Sequence, residues 1–139
     1  MNELLGTYGL RGDISVEQAW NVGKSIADWL PQDGAVAVSG RQGGRLCQAV
    51  IEGLRLQGRD VVSMIEGDHE TIKSRVVSGQ MAGAVRVAYD ELEEVNSIEF
   101  MDENGALVER SNGLMDMIEA ASAGNFVPAA RKGELSVLA

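Results

Sequence analysis

The chain has 139 residues, 45% of them hydrophobic and 24% charged, which is the balance of one soluble globular domain with a core of its own. Twelve Lys+Arg stand against 21 Asp+Glu, a net charge of −9 that disfavours nucleic acid and anionic membranes as partners. No stretch approaches the roughly 20 apolar residues that span a bilayer, Met1–Leu5 lacks the build of a signal peptide, and the single cysteine, Cys47, excludes an internal disulfide and fits a cytoplasmic setting.

In chain order, Leu4 to Gly12 reads as a glycine-punctuated turn. A helix is predicted from Val16 to Leu30, with Ser15 and Gln18 forming a capping box and Val16, Ala19, Trp20, Gly23, Ile26, Ala27 and Leu30 in one stripe. Pro31 and Asp33-Gly34 end it. Ala35–Val38 is a short buried strand, followed by a glycine-rich turn over 39–44. A second helix over 45–57 carries Leu46, Ala49, Val50, Gly53 and Leu54 on one face and stops at Gly58. Asp60–Ile65 is the second buried strand. Asp68 caps a third helix over 69–78, and 84–88 is a third strand. The acidic run Asp90-Glu91-Leu92-Glu93-Glu94 reads as a loop. Asn104-Gly105 then predicts a hairpin joining strands 98–101 and 106–109. A last helix covers 114–123. The domain is taken as residues 1–123, and 124–139 as a tail with at most one strand. Helix and strand alternate, so the fold expected is a single three-layer α/β/α domain with a mixed, mostly parallel sheet.

Four segments resemble the phosphohexomutases, the phosphoglucomutase/phosphomannomutase superfamily. Gly6-Thr7-Tyr8-Gly9-Leu10-Arg11-Gly12 is similar to the family's G-T-[SD]-G-[IL]-R-G, with Tyr8 as the departure. Val38-Ser39-Gly40-Arg41-Gln42 is similar to V-x-G-x-D, with Gln42 in place of aspartate, and 53–62 to G-L-x-x-x-G-x-x-V. Residues 83–100 resemble the active-site strand and loop, roughly G-I-M-I-T-A-S-H-N-P-x-x-x-N-G-I-K. The resemblance implies the first of four domains and an intramolecular phosphotransferase ancestry. It also places Tyr89 where the family has its phosphoryl-carrying serine, Asp90 at the histidine and Glu99 at the lysine. The family's magnesium loop, D-x-D-x-[DR], does not occur in this sequence, so no cofactor is expected, and no catalytic residue is assigned.

The expectation is a stand-alone domain that acts by binding a protein partner or its own copies. Two alternatives stand beside it: a subunit of a split phosphohexomutase, and a regulatory module that binds a sugar phosphate or another anion. The anion-binding candidates are Arg11, which the resemblance places near the phosphate centre, and Arg41, Gly43, Gly44 and Arg45, which follow a strand and open a helix. Tyr89 lacks an evident activating cation and reads as a plug or partner contact. His69, with Asp68 and Glu70, reads as a polar helix start, and Cys47 as a packed thiol. Trp20 is expected in the core. Trp29 lies off the apolar stripe and reads as an interface candidate.

Overall fold

The computed structural model describes residues 1–41 and 43–138. Gln42, the predicted aspartate substitution, and Ala139 lie outside the described residues. Six strands form one mixed sheet: β1 (Gly9–Gly12), β2 (Val36–Ser39), β3 (Val61–Met64), β4 (Gly83–Asp90), β5 (Val95–Met101) and β6 (Leu135–Val137). Their order across the sheet is β1-β5-β4-β2-β3-β6. The pairs β4/β2, β2/β3 and β3/β6 are parallel, and β5 runs antiparallel to both β4 and β1. Helices α1 (Val16–Trp29), α2 (Arg45–Leu56) and α4 (Leu114–Ala123) cover one face. Helix α3 (His69–Ser78) packs on the other, where Ile72 and Val76 meet Ala37, Met64, Ala84 and Met101. The single α/β domain with a mixed, mostly parallel sheet is the architecture expected.

The local chemistry explains the elements. The Ser15 hydroxyl accepts from the Gln18 N–H while the Gln18 side chain accepts from the Ser15 N–H, so both halves of the capping box form. The Asp68 carboxylate accepts from the Thr71 N–H at 2.8 Å, and that bond holds its pKa below the usual aspartate value. Strand β2 is an unbroken buried run, as a strand between two parallel neighbours requires. Helices α1 and α2 cross at two glycines. A Cβ on Gly23 would lie 2.5 Å from the Val50 oxygen, and one on Gly53 would lie 2.3 Å from the Trp20 oxygen. Lys24, buried beside this crossing, lies 3.3 Å from the centre of the Trp20 ring and 5.3 Å from that of Phe126. Burial pushes its pKa down, opposed by Glu17.

Three expectations are corrected. The opening glycine-rich segment is not only turn: Gly9–Gly12 is strand β1, in register with Asn96–Glu99. The strand predicted over 106–109 reduces to one bridge, Met101 to Leu107. The reason is that β1 already occupies the outer edge of β5 along Asn96–Glu99, leaving only its last residues for the returning chain. The turn itself forms, with Asp102 accepting from the Asn104 and Ala106 N–H groups. The loop over the acidic run is shorter than expected. Strands β4 and β5 extend to Asp90 and Val95, so only Glu91–Glu94 turn between them, with Glu94 at φ 55°. Residues 124–134 cross the end of α2, and β6 then joins the sheet beside β3.

Candidate functional site

The sheet divides the predicted site residues between its two faces, because side chains alternate along β4 and β5. Tyr89 points to the α1–α2 side with Val85 and Val87. Arg86 and Asp90 lie on the opposite side with Ala84.

On the first side a cavity of about 810 Å³ opens at the carboxyl ends of β2 and β4. The connection from β2 leads to β3 on one side and that from β4 to β5 on the other, so this is the point where connections diverge, the usual ligand crevice of open α/β sheets. Arg41, Gly44 and Arg45 line it beside the start of α2, together with Tyr89, Glu66 and Glu91. Gly44 gives α2 no side-chain cap. Gly43 adopts φ 76° in the turn, with nothing within 4 Å of a Cβ placed there. Neither Arg41 nor Arg45 makes an ion pair among the described residues. Cys47 is buried at this cavity's wall, and burial raises its pKa, so it is a packed thiol as the sequence suggested. Tyr89 is 53% exposed and lines this cavity.

On the opposite side Arg11 is not open to an external anion through its Nη2. That nitrogen donates to Asp90 Oδ2 and to Glu93 Oε2, each at 2.8 Å. Asp90 Oδ1 also accepts from the Leu92 and Glu93 N–H groups, closing the hairpin turn. Its Arg11 bond, then these backbone bonds, hold the Asp90 pKa below the usual aspartate value. A carboxyl lowered in this way contributes stability above the unfolded aspartate pKa and loses it as pH falls through its native value. In an NMR titration, Arg11→Gln is expected to move the Asp90 midpoint upward. An unmoved midpoint would mean that Arg11 is not its partner.

Glu99 organises a second cluster that sequence reading missed. Its Oε1 accepts from Arg86 Nη1 at 3.1 Å and lies 2.9 Å from His69 Nε2. Arg86 also donates through Nε to the Gly67 oxygen at 2.9 Å. His69 therefore does more than begin a helix. The detectable signal was Arg86 and Glu99 as opposite charges, but only the strand register makes them direct neighbours. Arg11, His69, Arg86, Ser97 and Glu99 line a smaller hollow of about 280 Å³. The donor set beside Tyr89 does not fit the family's magnesium: only Glu66 and Glu91 line that cavity as carboxylates, and no group of three or more His, Cys, Asp or Glu among the described residues is placed to hold a metal ion. Trp29 is partly buried against the core, under Gly113.

A phosphoglucomutase/phosphomannomutase family protein from Burkholderia thailandensis superposes on this chain with a TM-score of 0.77. The match covers 99% of this chain and 33% of that one, at 18% identity. The fold is that of one phosphohexomutase domain. A protein described as a phosphomannomutase from Thermus thermophilus gives a TM-score of 0.73 at 18% identity, over 96% of this chain and 32% of its own. The chain thus spans about a third of the length of the phosphohexomutase structures it matches. No family model and no curated protein matches the sequence.

Proposed function

We propose that this phosphohexomutase-type domain does not carry a phosphoryl group itself and works by binding a protein partner at the hairpin end of its sheet. The observation that carries this reading is the internal neutralisation of two cations, Arg11 and Arg86. Arg11 is held by Asp90 and Glu93, and Arg86 by Glu99, so these two guanidiniums are already met by the chain's own carboxylates. The Tyr89 hydroxyl takes part in neither cluster, and an unactivated phenol is a poor phosphoryl acceptor at neutral pH. The same end of the sheet exposes apolar side chains: Leu92 is 96% exposed at the hairpin tip and Ile65 69% at the end of β3, and Tyr89 on β4 is 53% exposed. Among acidic neighbours such a surface suits a partner with an apolar contact rimmed by basic residues.

Two measurements test it. The purified chain is expected to show no interconversion of hexose 1- and 6-phosphates, and turnover at a mutase rate would sink the reading. A tagged chain, pulled from its own cells, is expected to retain a partner that a Tyr89→Ser/Leu92→Ser variant loses. Recovery of a polypeptide carrying the remaining phosphohexomutase domains would favour the split-enzyme alternative.

A second reading has its own observation. The start of α2 and two arginines without ion pairs among the described residues converge on the 810 Å³ cavity, an arrangement suited to a phosphate or carboxylate. A sugar phosphate is then expected to bind saturably, more weakly in high salt, and at least tenfold more weakly to an Arg41→Ala/Arg45→Ala variant. An unchanged isotherm in that variant removes the anion-binding reading.

A further inference from the structure

The two edges of the sheet are finished differently. At the β1 edge, Leu5 bridges Leu10 antiparallel, the Gly6 N–H bonds the Gly9 oxygen, and Arg110 covers the Leu5 and Gly6 carbonyls. At the β6 edge nothing among the described residues pairs outward. The Glu134 oxygen accepts from the Val61 N–H, and the Leu138 N–H donates to the Ser63 oxygen. Backbone direction alternates along a strand, so the even-numbered residues of this segment face β3. The N–H and C=O groups of Leu135 and Val137 therefore point away from the sheet. Their side chains, 40% and 61% exposed, share one side of the strand. Proteins blunt such edges by keeping them short or with prolines, charges or covering loops; β6 is short, at three residues, and carries neither a proline nor a charge.

We propose that two copies of this chain pair edge to edge through β6, antiparallel, about a two-fold axis at Ser136. The edge is complementary to itself in this register. Leu135 of one copy falls opposite Val137 of the other, and each presents one outward donor and one outward acceptor. All the outward groups of β6 are then satisfied and the sheet continues across the axis. Leu135 and Val137 of both copies meet on one side, as an apolar cross-strand cluster. Charge permits the approach. Residues 124–139 carry Arg131, Lys132 and Glu134, whereas residues 1–123 carry ten basic against twenty acidic residues. The Lys132 charge is met by Glu52 at 2.7 Å and that of Arg131 by Glu134 at 3.2 Å, so the edge is nearly neutral while the rest of the surface repels its copy. Pairing along so short a strand buries little area, which makes the dimer concentration-dependent. It uses a surface other than the hairpin end and does not depend on whether the domain is catalytic.

In the two-fold register the Ser136 residues form a pair without hydrogen bonds, with Cα atoms about 4.5 Å apart, within reach of a disulfide. Ser136 is exposed, and the only native thiol, Cys47, is buried. Mild oxidation of Ser136→Cys is expected to give a covalent dimer, whereas Ser122→Cys, exposed on α4, stays monomeric. In sedimentation the native chain is expected to dimerise reversibly. Val137→Lys, which leaves the bonds to β3 in place, should raise the dissociation constant at least tenfold with an unchanged circular dichroism spectrum. A native chain that stays monomeric at every concentration, a dimer that Val137→Lys leaves intact, or equal cross-linking of the two cysteine variants overturns the proposal. The hexose phosphate assay tests the catalytic reading separately.

Discussion

Gly53→Ala should lower stability by about 3 kcal/mol, the upper end of the usual cost of overpacking, and Tm by roughly 10 °C. The added methyl would sit 2.3 Å from the Trp20 oxygen and 3.0 Å from the Lys24 nitrogen, both backbone atoms of α1. Backbone cannot rotate away as a side chain can, so the two helices must separate. Their contact anchors the layer over β2 and β3, and the reciprocal Gly23–Val50 approach lies in the same crossing. Helix propensity alone would have favoured alanine by about 1 kcal/mol, so the sign of the change decides between local preference and packing. Gly67→Ala is the control. There a Cβ meets nothing nearer than 3.7 Å, and the stability change is expected to stay within about 0.5 kcal/mol. Thermal denaturation of the two variants side by side makes the comparison. Equal midpoints would show that the helices tolerate a wider crossing.

The second large effect is at Arg59, two residues before β3. Its guanidinium donates to four backbone oxygens at the end of α1 and in the turn after it: Nε to Ala27 at 3.0 Å, Nη2 to Leu30 at 2.8 Å, and Nη1 to Gln32 at 2.6 Å and to Gly34 at 3.3 Å. These include helix-end carbonyls left without intrahelical partners, and a cation there also opposes the negative end of the helix dipole. Burial lowers the Arg59 pKa, and Asp33 and Asp28 oppose that shift, so the side chain remains charged. Arg59→Met keeps the stem and removes the fork. It is expected to cost about 2–3 kcal/mol, the range for hydrogen bonds to a charged group. Arg59→Lys should recover less than half of that, because one ammonium cannot span the four oxygens. Full recovery in lysine, measured by urea unfolding, would show that charge matters and fork geometry does not.

How much of this was legible in the sequence differs by feature. The capping box at Ser15 and Gln18, the buried run of β2 and the stop of α1 at Pro31 are local signals, and they appear nearly where expected. The glycines at 23 and 53 were visible on apolar helix faces, but their purpose appears only when α1 and α2 cross. Strand β1 was illegible because Gly9, Arg11 and Gly12 carry no strand pattern. Its conformation comes from pairing with β5, some ninety residues later. The same holds for the candidate site. Arg11 was singled out, but its partners Asp90 and Glu93 reach it only through the order β1-β5-β4. The Glu99 cluster likewise needs the register that sets Glu99 opposite Arg86. Arg59 gave no sequence signal, since its ligands are main-chain oxygens and carry no side-chain code.

The order of the strands also sets where the native state opens first. The first and last strands in the chain lie at opposite edges, and the interior is built from the continuous stretch between residues 36 and 101. Strands β4 and β5 are joined by a tight turn and make the longest ladder, the kind of local pairing that forms readily. Each edge strand can therefore peel away without disturbing the other. Amide hydrogens of β2 and β4 should exchange with solvent only through global unfolding, whereas those of β1 and β6 exchange through two separate, lower-energy openings. A substitution that loosens one edge should leave protection at the other edge unchanged.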